Sequence, residues 1–230
     1  VVEVGSKKLT IQNTQDLVFS GNIRGGGSFA KKGSGRLHLT GDNELTGADH
    51  DINVTADNEY ALANANFNEL DGNDNDIDVN ANGDTSEASA NDNTMSGQAN
   101  DIDVTAASES SVAMANDNAI DGVDNNIDVT ASGIGSTAEA IGDSLIGGGN
   151  SVTVATTGDG AQALNGGNNL FGLDNSLEAT AGFNATVDVD GNNLVGTSNS
   201  LDVSADLSGV ATATTNDANG RALQQELRGY

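Results

Sequence analysis

The amino-acid sequence predicts an all-β chain wound into a single-stranded parallel β-helix, a solenoid with about 25 residues per rung. Three observations predict it: a glycine that recurs every 25 residues, apolar residues that alternate after it, and asparagines held at two fixed places around it. All three stay in phase over seven consecutive units, and self-similarity at such a period is the signature of a repeat architecture. Without that periodicity, an acidic chain with 3% aromatic residues would be taken for disordered. The complete lack of proline already argues against that.

The frame is set by Gly47, Gly72, Gly97, Gly122, Gly147 and Gly172, each 25 residues after the last, and by Gly196, one residue early. Two residues before each glycine stands Leu45, Leu70, Met95, Ile120, Leu145, Leu170 or Leu194. Five after it stands Ile52, Ile77, Ile102, Ile127, Val152, Leu177 or Leu201, and seven after it a valine in all units but one. Small residues, mostly alanine, follow at nine after. Offsets of 5, 7 and 9 form a period-2 set, the pattern of a strand with one buried face. A later alternation of small residues, such as Ala88 and Ala90 or Ala113 and Ala115, predicts a third strand against a narrow interior.

The polar columns are as regular. Four before the glycine stands Asn43, Asn68, Asn93, Asn118, Asp143, Asn168 or Asn192. Three after it stands His50, Asn75, Asn100, Asn125, Asn150, Asn175 or Asn199. Asparagine tolerates left-handed turns, and its amide can bond to a copy of itself one layer away. Each unit therefore reads as three short strands joined by Asn/Gly corners. Hairpins would throw identical positions onto opposite faces. Stacking unit on unit about 4.8 Å apart instead keeps each inward column on its own copies.

Three regions follow: residues 1–40, where alternation persists in shorter and irregular capping rungs; 41–220, the regular array; and 221–230, a cap or docking segment. Leu223 and Leu227 stand at i and i+4 in that last segment, which predicts a helical cap. The whole reads as about nine rungs.

Residues 33–47 read Gly33-Ser34-Gly35-Arg36-Leu37-His38-Leu39-Thr40-Gly41-Asp42-Asn43-Glu44-Leu45-Thr46-Gly47, preceded by Val18-Phe19-Ser20-Gly21-Asn22-Ile23. This text resembles the passenger-associated repeat of bacterial autotransporters, whose pattern is roughly GxGxLxLxGxNxxxG with Thr before the last Gly. The resemblance covers about 30 residues. It implies a right-handed β-helix, secreted through an outer-membrane pore and displayed at the cell surface. The array after Gly47 is more uniform than a typical passenger.

Charge sets further bounds. Eight basic against 34 acidic residues leave a formal charge of −26, which repels nucleic acid and anionic lipid. No run of apolar residues is long enough to insert in a membrane as a helix. Cysteine is absent, which removes disulfides and thiolate metal sites. The basic residues lie outside the array, at Lys7, Lys8, Arg24, Lys31, Lys32, Arg36, Arg221 and Arg228. Catalysis finds little support: His38 and His50 are the only histidines, and residues 41–220 contain no Lys or Arg to serve as the base of a β-helical polysaccharide lyase. Paired aspartates leave a carbohydrate-active β-helix as a third functional class.

Two candidate sites emerge. Asp76, Asp78, Asp101, Asp103 and Asp128 occupy outward offsets of successive strands. Stacked carboxylates 4.8 Å apart repel by about 0.9 kcal/mol per pair even in water, so this face is expected to draw calcium, a hard cation that takes several oxygen ligands. One residue before the frame glycine, Ile146, Phe171 and Val195 replace the polar residues of earlier units and form an apolar stripe for a partner or for lateral association. The leading expectation is a non-catalytic secreted or cell-surface adhesin segment whose Asn/Asp/Thr ladders meet a host-cell or glycan receptor or another copy in a homo-oligomer. The main alternative is a subunit of an extracellular filament or biofilm matrix built by end-to-end rung stacking.

Overall fold

The computed structural model describes residues 62–205 without a break, together with the strands on either side and a few residues next to them, within 2–60 and 209–229. The continuous stretch makes about six turns of a β-solenoid with about 25 residues per turn. Strands are assigned to three parallel sheets, and in each sheet every strand pairs with the strand one turn away. Two sheets hold ten strands and the third nine.

The first sheet carries the frame glycines on strands such as Thr94–Gln98, Ala119–Val123 and Asn169–Leu173. The second carries the period-2 set on six-residue strands such as Asp76–Ala81, Asp101–Ala106 and Asn126–Ala131. The third carries the alanine alternation, as in Val112–Asn116 and Thr137–Ile141. Register follows the repeat: Leu70 pairs with Met95, Met95 with Ile120, and Ile120 with Leu145. Ile77 likewise stands over Ile102, and Ile102 over Ile127.

The core is a continuous column. The first sheet contributes one large side chain per turn, the second an Ile-Val-Ala or similar trio, the third a pair of alanines from Ala63 to Ala140 and then Ala163 with Asn165 and Val187 with Val189, and these side chains are almost wholly buried. Burying one Leu or Ile stabilises by about 1.5–3 kcal/mol, and no single turn could enclose such a core alone.

Three corners close each turn, and each is made by one residue in the left-handed region. One corner uses Phe67, Asp92, Asp117 and Gly142; the next Asp74, Ala99, Asp124 and Gly149; the third Thr85, Ser110, Gly135 and Gly160, with φ between 54° and 78°. The backbone N–H of each donates to a carbonyl one turn on, as from Asp92 to Asn116 and from Asp124 to Gly148. The buried asparagines are therefore not the turn residues: each follows one. The left-handed position points its side chain to solvent, and the chain then turns the next side chain inward. At the third corner that inward residue is Ser86, Ser111 or Ser136.

The frame glycine is required for a different reason. Gly97, Gly122, Gly147, Gly172 and Gly196 have φ between 129° and 145° or, at Gly122, 150°, and a Cβ on any of them would land on the carbonyl oxygen of the frame glycine one turn earlier. Each glycine makes room for the next. Gly47 and His50 lie outside the described residues.

Residues before the array also join the sheets. Leu9 pairs with Phe29 and Leu17 with Leu37, twenty residues on, so the early turns are shorter. The expected helical cap is corrected: Gln224–Gly229 is a strand, parallel to Ser200–Ala205, with Leu227 in register with Val203. Its local helical spacing yields to the open edge of the preceding strand, which offers a full ladder of hydrogen bonds. Leu223 lies outside the described residues.

Candidate functional site: the acidic ladder and the apolar stripe

The acidic face is built by the second sheet. Its strands present alternate residues inward, so Ile77, Val79, Ile102 and Val104 are buried while Asp76, Asp78, Asp101, Asp103 and Asp128 face out, each half-buried between the turns above and below. Two lines result. Asp76 stands in register with Asp101, which is followed by Asn126; Asp78 stands over Asp103, and Asp103 over Asp128.

Both ends of the longer line meet amides. Asn53 Nδ2 donates to Asp78 Oδ2 at 3.2 Å, and Asn126 Nδ2 donates to Asp128 Oδ2 at 2.7 Å. The middle rung is less well served: Asp101 Oδ1 is buried without a hydrogen-bond partner. Burial, reinforced by the negative charges of Asp103, Asp128, Asp76 and Asp78, pushes the Asp101 carboxyl up to about 7. Burial and the charges of Asp128 and Asp78 push Asp103 up to about 6. Near neutral pH the middle of the ladder therefore holds protons that an exposed aspartate would have released. The carboxylates run in lines, and among the described residues no group of three or more His, Cys, Asp or Glu side chains is placed to hold a metal ion.

The asparagine columns lie inside the corners. Asn75 donates its amide to Asn100 Oδ1 at 2.9 Å, and Asn125 donates to Asn150 Oδ1 at 3.1 Å. The backbone N–H groups of Asn100, Asn150 and Asn175 donate in turn to Asn125, Asn175 and Asn199. Each side chain thus satisfies a corner N–H one turn away, a group that would otherwise be buried and unpaired.

One member of the other column is an acid. Asp143 is fully buried, and burial pushes its carboxyl up to about 8, although the Asn118 backbone and side-chain donors lower it; the charge of Asp117 adds to the rise. The sequence shows this substitution plainly, but only the burial of the column reveals its consequence.

The apolar stripe stands on the first sheet. Asp121 is in register with Ile146, Ile146 with Phe171, and Phe171 with Val195. Ile146 is 49% and Phe171 38% exposed, while Val195 is half-buried. Sequence reasoning missed a further member of the patch, Leu173, 56% exposed on the other side of the frame glycine, and Val123, 37% exposed at the equivalent place on the Asp121 turn. The signal was available, since positions one before and one after that glycine share a face.

No protein-family model, no curated protein and no solved structure matches this chain. Among the described residues no helix is long and apolar enough to cross a membrane.

Proposed function

We propose that the chain is a non-catalytic structural segment displayed outside the cell, an adhesin element whose outer ladders make many weak contacts at once. The observation that carries this reading is the register itself. An outward side chain at one turn, such as Asp78, Thr105 or Asp128, has a counterpart directly above or below it, so a small contact is offered again at each rung. Repeated weak contacts on one rigid body give avidity without a pocket. The resemblance of residues 18–47 to an autotransporter passenger supports export, and the lack of Lys and Arg from 41 to 220 leaves the ladders without a strong base.

The test uses the repeat. Deleting residues 98–122 removes one turn of 25 residues in phase. Binding of the purified chain to cells or to arrayed glycans should weaken in steps as turns are removed while the far-ultraviolet spectrum stays that of a β-protein. Loss of all binding from one side-chain change in a folded chain would refute the multivalent reading, and turnover of a polysaccharide would refute the non-catalytic one.

A second reading is favoured by the way the sheets run. Val210–Thr214, Asp217–Asn219 and Gln224–Gly229 each pair parallel and in register with the turn before. Pairing of this kind can be continued by a strand from another copy, and rods adding end to end would form a filament. Fibres lengthening with concentration in negative-stain micrographs would establish this reading.

A further inference from the structure

We infer that the apolar end of the first sheet is a self-association face, on which a second copy of this chain packs antiparallel. The inference goes beyond the adhesive reading and does not depend on it.

Over three turns the outward residues of this sheet are Ser144, Ile146 and Gly148, then Asn169, Phe171 and Leu173, then Asn193, Val195 and Thr197. None is ionisable. The same face one and three turns earlier carries exposed Asp121, Glu69 and Asp71. A chain with a formal charge of −26 thus has a patch that is both apolar and free of charge. A basic partner would be drawn to the acidic turns and would gain nothing here. A second copy fits on two grounds. Its own patch carries no ionisable side chain over three turns and is bordered by one carboxylate, Asp174 at the corner beside Leu173, and its rungs have the same inter-strand rise, so each apolar row meets another at every turn.

The charge layout also fixes the direction. Parallel rods would set Asp121 against Asp121 and Asp71 against Asp71. A two-fold axis along the strands, through the Phe171 turn, sets the three neutral turns against one another and sends Asp71 and Asp121 away from their own copies, so that Asp121 comes opposite the turn of Asp217. It sets Phe171 against Phe171, Leu173 against Leu173, and Ile146 against Val195.

Sedimentation equilibrium on the whole chain should show a concentration-dependent dimer that tightens between 0.1 and 1 M NaCl, because salt screens the repelling acids. Ile146→Asp and Phe171→Asp should each weaken it tenfold or more. Both should fold, since Asp121 and Asp71 already stand in that column, and an unchanged far-ultraviolet spectrum checks this. The chain has no cysteine, so introduced thiols report the geometry without interference. Leu173→Cys should cross-link to itself on oxidation. Ile146→Cys should not, because its own copy lies two rungs away, roughly 10 Å, beyond disulfide reach; mixed with Val195→Cys it should. A monomer at all concentrations, a dimer indifferent to both aspartates, or self-linking of Ile146→Cys would overturn the proposal.

Discussion

Replacing Asp143 with Asn should stabilise the protein, and should do so only when the pH is high enough. Asn118 donates its backbone N–H and its amide to Asp143 Oδ1 at 2.8 and 2.9 Å, and the Asp143 N–H donates to Asn168 Oδ1 at 2.8 Å. The other carboxyl oxygen, Oδ2, is buried without a partner. At equivalent places the amide nitrogens of Asn118, Asn168 and Asn192 donate to the carbonyls of Ala90, Ala140 and Asn165 at 3.0, 3.0 and 2.9 Å. Repetition therefore turns Oδ2 toward a carbonyl, the Ala115 one, where a donor is needed. A protonated acid supplies that donor; a carboxylate cannot. The sign follows. A carboxyl raised from 3.8 to about 8 on folding binds its proton more tightly in the native state, so its contribution is fully present below pH 3.8 and is lost as pH rises toward 8. Each pH unit in that window is worth about 1.4 kcal/mol. Asp143→Asn should thus match the natural chain within about 1 kcal/mol at pH 4 and exceed it by about 3–4 kcal/mol at pH 7. Urea unfolding of both chains across that range measures the difference directly. A gap that does not change with pH, or a variant less stable at pH 7, would refute the reasoning.

The frame glycines should be irreplaceable and the corner glycines should not. Gly147→Ala sets a Cβ on the Gly122 carbonyl oxygen at a φ of 133° and should cost about 3 kcal/mol or more. Gly160→Ala, at a φ of 67° with open space around it, should cost about 1 kcal/mol; equal losses in thermal melts would contradict the stacking argument. Converting Asp101 and Asp103 together to Asn should raise the melting temperature at pH 8 and leave it nearly unchanged at pH 4, because carboxyls raised to about 7 and about 6 destabilise only once ionised. Sodium chloride should raise the melting temperature of the natural chain at pH 8 by more than that of the double variant. Calcium acting more strongly than sodium at equal ionic strength would identify bound rather than screening cations, and salt without effect would remove the repulsion argument.

Strand positions and register were legible because translation along the solenoid axis puts each residue on its own copy, so any column that is buried once is buried at every turn. Ile77, Ile102 and Ile127 could be stacked from their spacing alone. The corners were harder to read. The left-handed positions hold Phe67, Asp92, Asp117 and Gly142, a column without a common side chain, because its only shared demand is on the backbone and its side chains face solvent. The conspicuous asparagines beside them answer an inward demand instead, that of buried N–H groups needing an acceptor. The tail was misread because i, i+4 spacing is a local signal. Gln224–Gly229 meets an already ordered edge, and six residues set against a ready ladder gain more than a single isolated turn of helix can supply.

The same translation amplifies small sequence changes into faces. One aspartate on an exposed strand is a solvated charge, but Asp78, Asp103 and Asp128 in consecutive register become a line in which burial and the charges of Asp128 and Asp78 raise the carboxyl of Asp103. One isoleucine for an aspartate at position 146 would be an unremarkable surface residue on most folds. Here Phe171 and Val195 stand in the next two rungs of the same column, and the exchange divides one side of the rod into an acidic length and a neutral one. A solenoid distributes function by rung number, so the position along the repeat at which a column changes character locates the boundary between surfaces that repel a neighbour and surfaces that can receive one.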